Sequence, residues 1–504
     1  MEHLLAGDLQ KGPRGSNIFN FLPSTWIPEN ALRGELAESW EVKKDPLCVV
    51  FHLRKGIQWI EKKDVMKARE FTADDVVYSM TRWKDSRRAT PLFLDFVDRW
   101  EATDRYTVVM HMKTWNANWA YRTAWGYYDA VQAPEQSKTE KPGHWTNATG
   151  TGPMMITNFR RGHSVEYTKN PNYWDTAIID GKRYKFPFID KLITYNIMDR
   201  TTQLTALRTG KLDMLPLVFG ENFKKLIKDI PELIWYQNAP MYTFMIALRM
   251  DRKPFDDIRV RRALNLAVNQ QEIVDKLYDG DARLYSWPFP KYYTQVYTPF
   301  EKLPKTTQEL YSYNPEKAKK LLAEAGYPNG FTFTAQYTTE NERVAEMAPL
   351  IIKYLKDVGV DMVLEPIDTT AFFGLMIRKK HKEALFFASS YSNPYSMVRM
   401  NFLPRQTWNP YMMNDSEMEK KFIEILSDPT MSEAEGYEEM RKMAIHAVDQ
   451  APSIILPMQN SYFVRWPWVK NVYDERSVGC ARVGPIYARM WIDQKLKKKM
   501  GFDD

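Results

Sequence analysis

The sequence predicts an α/β protein with more than one lobe, and three observations support this. The chain has 504 residues, which is too long for a single hydrophobic core. Patterns typical of helices and of strands alternate along it, and the order strand, helix, strand between 331 and 364 indicates parallel pairing. Hydrophobic residues make up 44% and charged residues 26%, the balance of an ordinary soluble globular protein. We therefore expect two to four structural units of roughly 100–200 residues each.

The first part of the chain contains strand patterns, one capped helix and an aromatic run. Alternating apolar residues predict strands over 47–53 and 108–112. Between them, Thr72 is placed as a helix N-cap, with Asp75 three residues later as its capping-box partner. Aromatic residues over 115–128 are denser than one amphipathic helix face needs, so we expect this run to form part of a ligand-facing wall.

The second part contains the most legible helix signals. Apolar residues recur at i, i+3, i+4 and i+7 from Val260, which is typical of a helix buried on one face. Asn269 and Asn314 are placed as further N-caps, the latter followed by a proline at the first helical position. The predicted elements are helices over 201–210, 258–268, 270–280, 314–326 and 344–358, and strands over 331–335 and 360–364.

Motifs for catalysis are missing from the sequence. It contains no metalloprotease His-Glu-x-x-His, no nucleophile-elbow Gly-x-Ser-x-Gly and no phosphate-binding loop. The acidic pairs 74–75 and 256–257 stand where helices begin, a position that favours acids for capping. The 7 histidines are scattered, with no pair at helical spacing. We therefore predict a protein that is not an enzyme and carries no metal and no cofactor.

Charge and cysteine content exclude other classes. The net charge of +7 is spread along the chain apart from a basic stretch over 495–499, which predicts a solvated tail and no nucleic-acid partner. No stretch approaches the roughly 20 apolar residues of a membrane span, and the first residues do not resemble a signal peptide. The sequence leaves open whether its 2 cysteines, Cys48 and Cys480, form a disulfide.

Several segments, in order, are similar to those of the extracytoplasmic solute-binding proteins of ABC importers, family 5, the oligopeptide, dipeptide and nickel class. Each segment alone is a weak match, but their order over most of the chain is specific. They are GELAESWEV (34–42), FHLRKG (51–56), FTADDVVYS (71–79), GTGP (150–153), NPNYW (170–174), ALRTGKLD (206–213), PFDDIRVRRAL (254–264) and the helix over 314–327.

The resemblance implies a two-lobed periplasmic-binding-protein fold, type II-like and of the large class with an extra inserted subdomain. The implied ligand lies in a cleft between the lobes, which close on it by a hinge motion. The corresponding domain boundaries place the core of the first lobe at 1–55, 165–250 and 478–504, the inserted subdomain at 56–164 and the second lobe at 251–477.

One departure from the family concerns the ligand. Peptide binders of this family typically carry Trp-x-Ala-Asp-Tyr-x-x-Pro, whose acid pairs with the α-ammonium group of the peptide. The matching stretch here is FASSYSNP over 387–394, with Ser390 in place of the acid. A serine cannot by itself neutralise a buried ammonium group. The aromatic content of 14% then favours an oligosaccharide-like solute stacked on aromatic rings.

Candidate ligand contacts follow from motif position and from aromatic content. Position in the family motif nominates Phe387, Ser390 and Tyr391, and Trp408 and Asn409 follow shortly after. Tyr242 precedes the expected crossover between lobes. For the tryptophans outside the motif, packing in the core is the alternative. The first lobe contributes Trp26, Trp115 and Trp125.

The function expected from the resemblance is capture of a polar oligomeric solute for an ABC permease in the periplasm or another extracytoplasmic compartment, by a monomer. Two alternatives stay open. The first is an oligopeptide-binding protein of the same importer class, in which an acid from elsewhere replaces the missing one. The second is a sensory module of the same fold that presents its closed state to a receptor.

Overall fold

The computed structural model describes residues 2–23, 25–86, 94–239, 242–285 and 287–502. Its helices and strands are numbered in chain order. The helices are α1 Ala73–Lys84, α2 Trp119–Thr123, α3 Pro134–Ser137, α4 Arg200–Arg208, α5 Gly220–Asp229, α6 Ile258–Ala267, α7 Gln270–Tyr278, α8 Lys305–Glu309, α9 Pro315–Glu324, α10 Glu342–Asp357, α11 Thr369–Ile377, α12 Pro394–Phe402, α13 Ser416–Ser427, α14 Glu433–Asp449, α15 Gly484–Tyr487 and α16 Gln494–Lys499.

The strands are shorter and more numerous than the helices. They are β1 Leu5–Gly7, β2 Leu32–Gly34, β3 Ala37–Lys44, β4 Leu47–Leu53, β5 Gln58–Trp59, β6 Arg69–Glu70, β7 Val97–Asp104, β8 Thr107–Met112, β9 Met154–Arg160, β10 Ser164–Lys169, β11 Thr176–Ile179, β12 Lys182–Lys185, β13 Lys191–Tyr195, β14 Met214–Phe219, β15 Ile234–Gln237, β16 Tyr242–Leu248, β17 Ala282–Arg283, β18 Phe331–Thr338, β19 Val360–Ile367, β20 Ala384–Ser390, β21 Ser453–Ile455, β22 Met458–Gln459, β23 Ser461–Arg465, β24 Val469–Lys470 and β25 Trp491–Ile492.

The second lobe is built on a five-stranded sheet in the order β19-β18-β20-β16-β21. Strands β19 and β20 both run parallel to β18, whereas β16 runs antiparallel to β20 and to β21. One face of the sheet packs against α6, α7, α9 and α10, and the other is covered by α11 to α14. The parallel pairing predicted from the strand, helix, strand order is therefore confirmed.

The first lobe consists of several smaller antiparallel sheets. A four-stranded sheet has the order β3-β4-β8-β7, and two three-stranded sheets have the orders β13-β10-β9 and β14-β23-β15. The core of this lobe is continuous with the α12–α14 side of the second lobe, because buried apolar residues of both form one cluster. Short antiparallel sheets with one solvent-exposed face alternate buried and partly exposed residues, which is the burial pattern of β8.

The predicted helix caps are confirmed. The backbone N–H of Thr72 donates to Asp75 Oδ2 at 3.0 Å, which is one half of the capping box of α1. Asn269 and Asn314 accept from the backbone N–H groups of Glu272 and Lys317, each at 3.0 Å. These hydrogen bonds satisfy helix N–H groups that have no partner inside the helix, so the cap residues are used for folding.

The chain passes between the sheets of the two lobes at two places. Strand β15 of the first lobe ends at Gln237 and β16 of the second lobe begins at Tyr242; on the return, β21 ends at Ile455 and β23 begins at Ser461. Strand β23 pairs with β14 and β15 of the first lobe. It lies in the range 251–477 predicted for the second lobe, but the chain has already crossed back to the first lobe before β23 begins. Strand β16 likewise belongs to the second-lobe sheet, although it lies in the range 165–250 predicted for the core of the first lobe. Strands β3 and β4, predicted in the first-lobe core at 1–55, share a sheet with β7 and β8 of the predicted inserted subdomain at 56–164. The other domain boundaries stay a prediction.

The structure also addresses the disulfide that the sequence left open and the solvated basic stretch that it predicted. Cys48 in β4 and Cys480 are both free thiols, so they form no disulfide with each other. The basic stretch 495–499 lies in α16, a helix without buried residues, as a solvated segment should be. Within the described ranges, no helix is both long enough and apolar enough to cross a membrane.

Candidate functional site

The carboxyl ends of the three parallel strands define an edge of the second-lobe sheet that faces the first lobe. Helices α10, α11 and α12 all begin at this edge, and α12 follows β20 directly. In α/β proteins, ligands bind in the crevice outside the carboxyl ends of the strands, where pockets are left between loops and helix starts. The crevice between this edge and the first lobe is therefore the candidate site.

Ser390 lies at this edge on the α10 side of the sheet. Along β20, Ala384 and Phe386 pack with α10, and Ser390 continues that alternation as an exposed residue. Its cross-strand partner is Tyr242, the first residue of β16. The guanidinium of Arg343 in α10 donates from Nη1 to Tyr242 Oη at 2.6 Å. A neutral serine thus stands across the strand pair from the tyrosine that accepts from Arg343.

The first lobe places a ring and a second arginine opposite. Phe219 is the last residue of β14, and Arg343 Cζ lies 5.8 Å from its ring centroid. Arg200 at the start of α4 lies over the same ring, with Cζ 4.9 Å from the centroid. We call Arg200, Phe219, Tyr242 and Arg343 the arginine contact. Among the described residues, no carboxylate forms an ion pair with either arginine.

The strand crossings beside this contact are held by side-chain amides. Asn238, which is buried, donates from Nδ2 to Pro216 O at 2.9 Å and to Ser461 Oγ at 3.1 Å. Its backbone carbonyl accepts from Arg283 Nη2 at 3.0 Å, and its Oδ1 accepts from Arg476. These bonds join the outgoing and returning crossings to the first lobe, so any closing motion has to bend the chain at this point.

A second meeting of the lobes lies on the opposite face of the second-lobe sheet. Trp26 has no exposed surface, stacks on Tyr293 at 5.1 Å between ring centroids, and donates from Nε1 to Tyr437 Oη at 3.1 Å. Beside it, Thr25 Oγ1 donates to Tyr391 O at 2.9 Å. Tyr437 and Tyr391 belong to the second lobe, so Trp26 joins the two lobes by packing and by a hydrogen bond.

The start of α12 continues this second meeting. Asn393, the N-cap of α12, donates from Nδ2 to Asn118 Oδ1, and Asn118 Nδ2 donates to Ser396 Oγ at 3.5 Å. The hydroxyls of Tyr121 and Ser392 are 3.2 Å apart. The side chains of Asn118, Asn393 and Ser396 are buried, so this part of the interface excludes water. We call the surfaces of Trp26, Asn118, Tyr121, Tyr391–Ser396 and Tyr437 the packed contact.

Two carboxyl groups from different lobes meet at the rim of the packed contact. The backbone N–H of Glu29 donates to Glu433 Oε1 at 2.9 Å, and Tyr437 Oη donates to the same oxygen at 2.7 Å. Burial, together with the nearby charge of Glu433, raises the pKa of Glu29 to about 7, and burial also raises the pKa of Glu433. Both glutamates line a cavity of about 190 Å³ that also includes Trp40 and Trp115.

Tyr242 and the residues of the 387–394 motif that were predicted from sequence lie in three different environments. Tyr242 belongs to the arginine contact and Ser390 is its cross-strand partner, whereas Tyr391 lies in the packed contact with 3% of its surface exposed. Phe387 is buried in the core on the α12–α14 side and pairs with Met245. The motif therefore contributes residues to both faces of the sheet, because successive side chains of β20 point in opposite directions.

Trp408 and Asn409 lie near the other end of α11. Lys379, just after α11, donates from Nζ to the carbonyls of Gln406, Thr407 and Asn409, and burial lowers its pKa to about 8. Asn409 Nδ2 donates to Leu403 O and to Met413 O, so its amide shapes this loop. Trp408 is 36% exposed and meets Phe373 at 6.0 Å. The structure does not bring these two residues to Ser390.

The predicted aromatic wall over 115–128 is mostly core. Trp125 is 2% exposed, and a side chain at Gly479 would place Cβ 2.9 Å from its ring, so the backbone at Gly479 packs directly on it. Trp115 is half-buried and lines the 190 Å³ cavity. Within this run, large exposed surfaces remain at Tyr127 and Tyr128. With Trp26 also enclosed, none of the three first-lobe tryptophans joins the arginine contact.

Arg343, Arg200 and Phe219 were missed from the sequence. Each stands at the end of a strand or at the start of a helix, which is the signal that marks crevice-facing positions in an α/β lobe. Strand ends and helix starts are numerous in a chain of this length, so this feature alone does not identify the three residues. Their tertiary contacts do. Within the described ranges, no cluster of histidine, cysteine, aspartate and glutamate side chains is arranged to hold a metal ion.

Comparisons with known proteins identify the family of the chain. The model of the bacterial extracellular solute-binding proteins, family 5 Middle, matches residues 31–415. The chain is 30% identical over 346 residues to the heme-binding protein A of Haemophilus influenzae, which covers 64% of this chain and 60% of that protein. It is 25% identical over 358 residues to the dipeptide-binding protein of Escherichia coli, covering 66% of this chain and 62% of that protein. It thus spans less than two thirds of the length of these curated relatives.

Solved structures share the fold. The periplasmic binding protein DppA from Helicobacter pylori, in complex with the peptide STSA, superposes with a TM-score of 0.75 at 21% identity. The superposition covers 98% of this chain and 92% of that chain. The two-lobed periplasmic-binding-protein fold predicted from the resemblance is therefore confirmed.

Proposed function

Because this chain belongs to family 5 of the bacterial extracellular solute-binding proteins, we propose that it captures a small solute outside the cytoplasm for an ABC importer. The observation that carries the proposal is the crevice between the lobes, bordered by the carboxyl ends of three parallel strands and by two strand crossings. A solute that contacts both lobes favours the closed arrangement by its differential affinity for that state. The closed arrangement is then the form that the permease binds, and no catalytic step is part of the proposal.

A peptide or a peptide-like solute fits the comparisons better than the oligosaccharide-like solute expected from the sequence. The two curated relatives bind heme or dipeptides, and the neighbouring structure holds a peptide. The aromatic content that favoured a sugar is largely accounted for by packing, because the largest fully enclosed side chains include Trp26, Trp59, Trp287 and Trp468. Rings enclosed in this way cannot serve as stacking platforms for a solute.

Titration calorimetry with peptides of two to four residues, including STSA, tests the proposed site. We expect at least one peptide to bind the wild-type protein, and Ser390→Trp to abolish that binding because the indole fills the crevice next to Tyr242. Ser427→Trp, on the exposed end of α13, is the matched control and should bind as the wild type does. Equal binding by both variants would place the site elsewhere.

Uptake measurements test the importer assignment. Cells that lack this protein should fail to take up a peptide that binds it, and the wild-type gene, but not the Ser390→Trp gene, should restore uptake. A receptor-coupled sensor of the same fold gives a different result, in which uptake persists and only the response to the peptide is lost. That result would replace the importer proposal by the sensory alternative.

A further inference from the structure

The cavity at the rim of the packed contact has walls from both lobes and lies apart from the crevice at Ser390. Its lining includes Glu29, Trp40 and Trp115 from the first lobe and Tyr395, Met431 and Glu433 from the second. Its volume of about 190 Å³ exceeds the roughly 150 Å³ of a cavity that encloses benzene. A ligand of about seven non-hydrogen atoms therefore fits this space.

The two glutamates of the cavity face each other without a counterion. Glu433 Oε1 accepts from the backbone N–H of Glu29 and from Tyr437 Oη, which brings the two acidic side chains together. Among the described residues, no lysine, arginine or histidine forms an ion pair with either glutamate. Burial and the nearby charge of Glu433 raise the pKa of Glu29 to about 7. A cation between the two carboxyl groups replaces their mutual repulsion by attraction.

The other lining groups select the kind of cation. Trp40 and Trp115 are both half-buried beside the acids, and indole faces attract alkylated ammonium groups. The indole N–H of Trp115 is enclosed and has no acceptor among the described residues, which indicates an oxygen from outside the chain. Across the described ranges, no histidine, cysteine or third carboxylate joins the pair to hold a metal ion.

We propose that this cavity is a second ligand site, for a small organic cation that carries a methylated ammonium group and a hydroxyl oxygen, as choline does. The ammonium group binds between the carboxyl groups of Glu29 and Glu433. The rings of Trp40 and Trp115 cover its methyl groups, and the hydroxyl oxygen accepts from the Trp115 N–H. The site shares no residue with the crevice, so the proposal does not depend on the proposed function.

Calorimetry at pH 8 with four matched compounds tests the chemistry of the ligand. We expect choline to bind with a Kd of about 1 mM or below. Its uncharged carbon analogue 3,3-dimethyl-1-butanol should bind at least about tenfold more weakly, and so should glycine betaine, whose carboxylate meets the two glutamates. Tetramethylammonium lacks the hydroxyl group and should bind about threefold to tenfold more weakly than choline.

The same titration at pH 5 tests the acidic pair. Choline keeps its charge at both pH values, whereas protons occupy the carboxyl groups at the lower one, so binding should weaken about tenfold. The other ionisable groups that face the pair are the phenols of Tyr395 and Tyr437. Burial raises the pKa of both phenols, so they stay neutral in this range.

Variants test the residues. Glu29→Gln and Glu433→Gln should each weaken choline binding about tenfold. Trp115→Phe keeps a ring but removes the N–H, so choline should lose its advantage over tetramethylammonium. Glu438→Gln is the matched control, because Glu438 stands on α14 outside the cavity and pairs with Arg441. Urea unfolding of each variant shows whether it is folded.

The remaining outcomes overturn the proposal. Absence of choline binding, or equal binding of choline and its uncharged analogue, contradicts a cation site. Binding that persists in both glutamine variants places the cation elsewhere, and an unchanged preference for choline in Trp115→Phe refutes the role of the N–H. Ser390→Trp should leave choline binding unaltered, so failure of peptide binding in the crevice and failure of this site are separate results.

Discussion

The packed contact and the arginine contact differ in whether the groups that meet there are buried and paired with each other. In the packed contact, Trp26 is enclosed and its N–H is paired with Tyr437. In the arginine contact, Arg200 is exposed and Arg343 half-buried, and their charges are of the same sign. Buried aromatic packing with satisfied polar groups stabilises an interface without help from a ligand, whereas exposed like charges do not.

This difference indicates that one face of the second-lobe sheet contributes to stability and the other to ligand binding in the crevice. The α12–α14 face shares its core with the first lobe, so substitutions there should change the free energy of unfolding. The α10 face carries Ser390 and Arg343 at an opening, so substitutions there should change ligand affinity with little effect on stability. Four substitutions test this division, from the largest expected effect to the smallest.

Trp26→Ala should cause the largest loss of stability. Removing an enclosed indole that stacks on Tyr293 leaves a cavity and removes the hydrogen bond to Tyr437 Oη, which together cost about 3–5 kcal/mol. Urea unfolding followed by circular dichroism measures the loss. Trp491→Ala, at a tryptophan that is 43% exposed, should change the free energy of unfolding by about 0.5 kcal/mol. Equal losses in the two variants would contradict the division.

Tyr437→Phe should have the next largest effect. The hydroxyl of Tyr437 accepts from Trp26 Nε1 and donates to Glu433, so its loss leaves a buried indole N–H without a partner. We expect about 1–3 kcal/mol of destabilisation in the same urea experiment. Tyr473→Phe, at a tyrosine that is 44% exposed, is the control and should be close to neutral. A neutral Tyr437→Phe variant would mean that the bridge between the lobes contributes no stability.

Glu29→Gln should remove a pH dependence of stability. The pKa of Glu29 is raised from its ordinary value of 4.5 to about 7, so the folded protein binds more protons than the unfolded chain between these values. Stability from this group is fully present below about pH 4.5 and is lost as pH rises through about 7. The carboxyl group keeps partial access to water, which limits the effect to about 1 kcal/mol.

Unfolding at pH 5 and at pH 8 measures this effect. Glu433 is also protonated more readily because burial raises its pKa, and the other titratable groups facing the pair are the phenols of Tyr395 and Tyr437. The wild-type protein should lose more stability between the two pH values than Glu29→Gln does, and Glu232→Gln, an exposed loop variant, should behave as wild type. An identical pH dependence in Glu29→Gln would assign the effect to other groups.

Arg343→Gln should change stability least, by about 0.5 kcal/mol or less, because the side chain is half-buried and has no ion-pair partner among the described residues. The same urea experiment provides the value. A loss of several kcal/mol would show that the arginine contact is a structural interface, and the division between the two faces would then fail.

Local elements of this fold were predictable because their causes lie within a few residues. Thr72, Asn269 and Asn314 satisfy the first N–H groups of their own helices, so a short stretch of sequence determines the helix start. The strand, helix, strand order around α10 likewise indicated parallel pairing, because such a crossing returns to the same sheet. The ordered family segments extended these local results to the two-lobed architecture.

The candidate site was only partly predictable. Ser390 and Tyr242, both nominated from the sequence, are cross-strand partners, but Trp26, Trp115 and Trp125 were expected at the ligand and the structure uses them mostly for packing. An indole provides the same apolar surface for stacking on a ligand and for filling a core. Its sequence position does not decide between these uses.

By itself, the sequence determined the family, the alternation of elements, the helix caps and the replacement of an acid by Ser390. Each of these depends on neighbouring residues or on the order of motifs. Only the tertiary structure decided that Arg200, more than a hundred residues before Arg343, lies over the same Phe219 ring, and that Glu29 meets Glu433. Such pairs depend on how the lobes pack, because no local pattern records which distant residues a folded chain brings together.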